Sequence, residues 1–322
     1  MSKVTAIVFA GAALAAWPFV VDAPFIVHIA IMIALYSVLA LSMNLMLRIG
    51  QLSLAHGAFM GLGAYTSALL AMRLKVPFPL SFLAAGVAVA AVAALIGPIF
   101  LRIRGVYFVL LTFAFGEVVQ LVFVEWVDVF GGNSGLYGIP KPSLFGLTVT
   151  TKAGYWVMAL ALAVAVLLAV RALFRSQVGA VIGSLDENEL LSRSIGIDAP
   201  RYRLAVFCFS AFLAGLAGSF YAHYLTFISP EAFGFWTPVN MVVLNVLGGI
   251  LSPWGPILGS ALLVPLPELL RDVRQYQVLA YGVLLMAFLL FLPNGLVALG
   301  GRLKFTRRLR APSVSPAQRP AA

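Results

Sequence analysis

The run YWVMALALAVAVLLAVRALF, residues Tyr155 to Phe174, carries a single charge, Arg171, near its end. A helix needs about 20 apolar residues to cross the hydrocarbon core of a bilayer, so this stretch reads as a membrane span. The same reading extends in both directions. It gives about ten candidate spans, the first five near Val4 to Val21, Phe25 to Leu47, Ala55 to Met72, Phe78 to Leu101 and Val106 to Val127. Tyr155 to Phe174 opens the second five, followed by Leu204 to Phe227, Phe235 to Leu251, Pro256 to Leu270 and Val278 to Leu299. The fold class is all-α: a polytopic integral membrane protein. Composition agrees, because 10% of residues are charged where soluble domains have roughly a quarter, and the mean hydropathy is +1.03.

The formal charge of +10 is scattered at span ends, which fits cytoplasmic loops facing anionic lipid and not a nucleic-acid surface. With the N-terminus inside, the count places Arg48, Arg102, Arg104, Arg171, Arg175, Arg193, Arg201, Arg203 and the tail from Arg302 in the cytoplasm. Arg73, Lys75, Lys141, Lys152, Arg271 and Arg274 fall outside. The run after Lys3 continues to Val21 and reads as an uncleaved span, not a signal peptide. Spans and loops to residue 303 form one transmembrane domain, and residues 304–322 a basic tail that reads as disordered and close to anionic lipid. Cys208 is the single cysteine, so disulfides within the chain and Cys-rich metal sites are excluded.

Within the cytoplasmic loop 175–203 lies a charged island, Ser184 to Gly196. Ser184 and Glu187 have the spacing of a capping box, which predicts a helix starting at Ser184. Asp186, Glu187 and Glu189 then crowd its positive end, Glu189 and Arg193 pair one turn apart, and Gly196 suits a left-handed stop. Asn188 completes the acidic stretch.

Two segments interrupt the span pattern, Ile49 to Gly63 and Gly248 to Gly259, one in each half. Irregular backbone at membrane depth survives where protein or a water-filled cavity satisfies it, so paired interruptions point to a transport pathway. The alternative is close helix packing, since Gly57/Gly61 and Gly255/Gly259 are GxxxG pairs. Gln51, Ser53 and His56 bring polar groups into the first segment. Glu117 lies near mid-span with Gln120 one turn on, and reads as a lining or gating group or as interhelical glue. Asn44, Thr112, Asn240 and Asn245 are weaker candidates of the same type. His28, His56 and His223 are isolated in sequence and predict packing residues, not metal ligands. There is no phosphate loop, HExxH or dinucleotide turn, so the chain reads as a non-enzyme without a cofactor, and energy for transport must come from an ion gradient or another subunit.

Several of these stretches resemble the LivM-type permease of branched-chain amino acid ABC importers. They are Gly50-Gln-Leu-Ser-Leu-Ala-His-Gly57 with Gly61-Leu-Gly-Ala-Tyr-Thr66, Arg104-Gly-Val-Tyr-Phe108 with Ala114-Phe-Gly-Glu117, and Gly131 to Pro140. Asp186-Glu-Asn-Glu189 with Gly196-Ile, Tyr221-Ala-His-Tyr224, Ser229-Pro-Glu231, Gly248-Gly and Trp254-Gly-Pro-Ile-Leu-Gly259 continue the match. The resemblance covers roughly Leu39 to Leu299. It implies a bacterial inner-membrane subunit with cytoplasmic termini that pairs with a second permease, two cytoplasmic ATP-binding subunits and a periplasmic binding protein. It also implies that the charged island is the coupling helix seated in an ATPase groove. This chain departs from the family in lacking basic residues before Glu187, where it has Ala180, Gly183 and Asp186. Branched-chain or other apolar amino acids are the implied cargo; urea, amides and aromatic acids are carried by related permeases, and an ion-coupled secondary transporter is the rival class.

Overall fold

The computed structural model describes residues 23–144, 147–187, 192, 194 and 196–269, with isolated positions beyond. The expected first span, most of the tenth, and the tail lie outside the described residues. The helices are α1 (Pro24–Leu47), α2 (His56–Arg73), α3 (Phe78–Phe100), α4 (Val106–Glu125), α5 (Lys152–Arg175), α6 (Gln177–Glu187), α7 (Ala199–Leu225) and α8 (Trp236–Gly248), followed by the shorter α9 (Gly255–Leu263); of the first eight, all but α6, which lies in the loop between two runs, match or nearly match the apolar runs. Among the described residues, five of these, α1, α3, α4, α5 and α7, are long and apolar enough to cross a membrane.

Helix starts follow local chemistry. Proline sits in the first turn of α1, α3 and α7, where no amide donor is needed. Thr151 caps α5 by accepting from Gly154 N, and Asp198 caps α7 by accepting from Arg201 N while pairing with its guanidinium at 2.8 Å. The expected ninth span, Pro256 to Leu270, is broken: α9 ends at Leu263, and only a one-turn helix, Leu266–Leu269, follows Pro265. Proline cannot donate to the preceding turn. At nine residues α9 is about 14 Å long, too short to cross alone.

Helix α7 is the axis of the molecule and packs along α2, α3 and α1. Its contact with α2 is backbone against backbone. A Cβ on Gly63 would meet Gly215 O at 2.3 Å, and one on Gly218 would meet Met60 O at 1.9 Å. Small residues allow this approach, which maximises van der Waals contact where lipid offers no hydrophobic contrast.

Three contacts fix which ends lie together. His28 at the start of α1 reaches Tyr224 at the end of α7, Phe78 at the start of α3 packs on His223, and Lys152 at the start of α5 donates to Pro24 O at 3.0 Å. The C-terminal ends of α1, α3 and α5 and the beginning of α7 therefore share one end, which gathers Arg48, Arg102, Arg104, Arg171, Arg175, Arg201 and Arg203. Four of them, Arg102, Arg104, Arg201 and Arg203, line a cleft of about 470 Å³. The opposite end carries a small β cap: β1 (Leu136–Tyr137) pairs with β4 (Phe227–Ile228), and β2 (Ser143–Leu144) with β3 (Leu147–Thr148), both antiparallel.

Candidate functional site

After Leu47, Gly50 takes a φ of +71°, and the chain does not return to helix until His56. Backbone groups freed by such a break must find partners inside the protein. Gln51 N donates to Met46 O at 3.0 Å, and Leu54 N donates to Thr112 Oγ1 at 3.0 Å. Thr112 in turn donates to Phe108 O at 2.9 Å, so its hydroxyl fastens the irregular segment to α4.

The second interruption comes to the same place. Helix α8 stops at Gly248, Gly249 has a φ of +108°, and the freed carbonyls of Ile250 and Leu251 accept from α1. Asn44 Nδ2 donates to Ile250 O at 2.9 Å, and Arg48 donates to Leu251 O at 2.7 Å. Asn44 also donates to Asn245 Oδ1 at 2.9 Å, and Asn245 donates to Ala40 O at 2.9 Å. The Arg48 guanidinium lies 4.2 Å above the Phe174 ring. The two segments that break the span pattern thus both border the arginine end of α1. Here Asn44 and Asn245 are interhelical glue, and the glycines serve close packing: a Cβ on Gly259 would strike Leu244 O at 2.0 Å.

Gln51, Ser53 and His56 differ. All three are buried, and none of their side-chain polar atoms meets a hydrogen-bond partner among the described residues, although backbone of Ser42 and Ser53 lies beside the His56 ring. Such atoms are costly inside a protein, and they cluster where α2 begins. Next to that start a 3-10 turn, Pro230–Phe233, brings the chain from the β cap down to the beginning of α8. A Cβ on Gly57 would meet Phe233 O at 2.6 Å, and Gln120 rests against Gly234. Leu54, Ala58, Phe113, Gly116, Phe235 and Pro238 line a narrow crevice between these elements, with Glu117 at its rim.

Glu117 is exposed on this single chain. Gln120 is turned toward Gly234 and is half-buried; Asn240 is half-buried on α8.

The charged island also needs correction. Helix α6 starts at Gln177, and Ser184 lies inside it, donating to Val181 O at 2.8 Å and not capping a new helix. Ile182 and Leu185 bury one face against the ends of α5 and α7, which explains why the helix begins earlier than the capping pattern implied. Ser192 donates back to Ser184 O at 3.0 Å, and Gly196 has a φ of +89°, in keeping with a left-handed stop. Asp186 and Glu187 end α6; Asn188, Glu189 and Arg193 lie outside the described residues.

One network has no counterpart in the pattern reading. Ser219 donates to Ser67 Oγ at 2.7 Å, Ser67 lies 2.9 Å from His223 Nε2, and His223 Nδ1 lies 2.7 Å from Pro140 O. A carbonyl only accepts, so Nδ1 carries the proton and Nε2 accepts from Ser67. The chain of three bonds ties α2, α7 and the β-cap loop together. Ser67 follows Tyr65 and Thr66, and Ser219 lies in a mostly apolar run; only their three-dimensional meeting distinguishes them.

Comparison with known proteins fits this architecture. Residues 25–293 match the family described as branched-chain amino acid transport system, permease component. The chain is 35% identical to the high-affinity branched-chain amino acid transport system permease protein LivM of Salmonella typhimurium over 306 residues, covering 88% of this chain and 72% of that protein. The LivM protein of Escherichia coli gives the same identity and coverage. No solved structure matches. With a family match over most of its length and membrane-capable helices in the same region, the chain belongs to the permease family of branched-chain amino acid transport systems and is a multi-pass membrane transport protein.

Proposed function

We propose that this permease is one half of the translocation unit of an ABC importer in the bacterial inner membrane, carrying branched-chain or other apolar amino acids inward. A second permease completes the path, two cytoplasmic ATP-binding subunits drive it, and a periplasmic binding protein delivers the cargo. The observation that carries this reading is the crevice where the start of α2, α4 and the start of α8 come together, lined by Leu54, Ala58, Glu117, Phe235 and Pro238, with the buried polar residues Gln51, Ser53 and His56 close by in sequence at the start of α2. Interrupted helices beginning at membrane depth direct partial positive charge toward a carboxylate, while a nearby acid suits an ammonium group. The rest of the crevice is apolar, which favours cargo whose desolvation cost is confined to a few polar groups. The arginine end faces the cytoplasm, and the segment from α6 to Gly196 is the contact for an ATP-binding subunit. The sequence of this segment is acidic, with Asp186, Glu187 and Glu189.

The test is uptake of labelled leucine, urea and an aromatic acid by cells lacking the gene and by the complemented strain, with ATP depleted in one arm and the proton gradient collapsed in another. Leucine uptake that is restored by the gene, lost on ATP depletion and kept without the gradient is the expected result. Loss of urea uptake alone would transfer the cargo to urea within the same class. Uptake that follows the proton gradient and not ATP would replace the importer with an ion-coupled carrier working through Glu117.

A further inference from the structure

Helices α3, α4 and α5 each leave one side uncovered in the single chain, and the chemistry of those sides differs. On α3 the exposed residues include Leu80, Leu83, Val87, Leu95 and Ile99; on the middle of α5 they are Val157, Ala161, Val164, Ala165 and Leu168. Both faces are wholly apolar and suit lipid. On α4 the exposed face includes Leu110, Ala114, Glu117, Val118, Leu121 and Val122, and along it Leu110, Ala114, Glu117 and Leu121 form one stripe. Exposed Tyr107 and Trp126 mark its two ends, about 28 Å apart along the helix axis, which matches the aromatic belts of a hydrocarbon layer about 30 Å thick. Glu117 therefore lies near the middle of that layer. Its side chain makes no hydrogen bond or ion pair with any described residue, and a carboxylate at that depth does not face lipid.

The stripe has the geometry of a helix seam. Its steps of four, three and four residues average about 3.7 positions, close to the 3.6 of one helical turn, so the four side chains line one side of α4, and Ala114 next to Glu117 allows close approach. The charge selects the occupant. Two copies of one chain in a membrane are related by an axis along the membrane normal, so equal depths meet and Glu117 would oppose Glu117 across such a seam. Like charges in a medium of low dielectric repel strongly. We infer that the Leu110, Ala114, Glu117 and Leu121 face of α4 docks a membrane-spanning helix of a second, non-identical permease chain, which presents a hydrogen-bond donor to Glu117. This inference rests on the two-permease reading above and names the face on which that pairing is made.

The experiment uses the whole transporter, purified through a tag on this chain. A photocrosslinking amino acid is placed in turn at Leu110, Ala114 and Leu121, with Val87 on α3 and Val164 on α5 as lipid-facing controls. Adducts from the α4 positions, identified by peptide sequencing as a second permease chain and absent from the controls, are expected. E117L should lower the amount of second permease recovered about three- to fifteen-fold, the range of one interhelical hydrogen bond in a membrane, while E117Q keeps it near the parent level. Adducts of twice this chain's mass, with E117Q strengthening self-association, would overturn the non-identical partner. Adducts from Val87 or Val164 and none from α4 would overturn the choice of face. If the unmodified transporter purifies with no second permease at all, the two-permease reading itself fails, and that result is visible before any crosslink is made.

Discussion

His223 shows how one side chain can hold three parts of the molecule. Its two nitrogens connect Ser67 on α2 and Pro140 in the β-cap loop, and its ring packs edge-on against Phe78 at 4.9 Å. Replacing it with alanine leaves the Ser67 hydroxyl and the Pro140 carbonyl short of a partner and opens space beside Phe78. We expect H223A to cost about 2 kcal/mol, since each stranded buried group costs roughly 1 to 3 and bonds between membrane helices are worth less. S219A removes only the outer bond of the chain and should cost about half as much. Thermal unfolding of the detergent-solubilised protein measures both, and equal losses would mean that the bonds do not act as a chain. Sequence reading had identified His223 as a packing histidine, but not its partners, which stand 83 and 156 positions away. Ser184 failed in the opposite sense. Its spacing to Glu187 satisfies a capping pattern, yet the same pattern can fall inside a helix, and burial of Ile182 and Leu185 decided the matter.

At the scale of elements, long apolar runs were legible almost to the residue. Helices α1 to α5 begin and end within a few positions of the runs that predicted them, because burial in lipid and backbone satisfaction both demand helix there. What the runs could not show was depth. The eighth and ninth runs read as crossing spans in sequence, but Gly249 and Pro265 end their helices early, so α8 and α9 are short pieces folded against each other. Nor could they show that Gly63, Gly215 and Gly218, which form no GxxxG pair, bring the backbones of α2 and α7 into contact. This gives a graded test. Gly218→Ala places a methyl within 1.9 Å of Met60 O, in a contact made by backbone that cannot step aside, and should prevent stable folding or cost several kcal/mol. Gly183→Ala meets nothing within 4 Å and should stabilise α6 by about 0.5 to 1 kcal/mol, the gain of alanine over glycine in a helix. Expression level and unfolding temperature report both, and similar behaviour of the two variants would contradict the α2–α7 packing.

At the scale of the whole molecule, the fold sorts its charges. Helix contacts alone bring seven arginines to one end, while Arg73, Lys75, Lys141 and Lys152 lie toward the other, on the side of the β cap. That segregation arises from chain direction and is independent of any membrane. In a bilayer it sets orientation, because arginine-rich loops stay on the cytoplasmic side. In the importer proposed above, that orientation puts α6 and Gly196 on the side of the ATP-binding subunits and the β cap, with its paired Tyr137 and Phe227, on the side of the binding protein. Labelling tests the arrangement in a Cys208→Ser background, which removes the only native thiol. Gly183 is exposed on α6 and Ser134 is exposed beside the β cap, which makes them better probes than Ser192, whose side chain is buried. In intact cells a cysteine at 134 should react with an impermeant thiol reagent once the outer membrane is opened, and a cysteine at 183 should react only after the inner membrane is broken. The reverse pattern would turn the molecule over, move the arginine cleft to the periplasm and leave the acidic end of α6 with no ATP-binding subunit to contact.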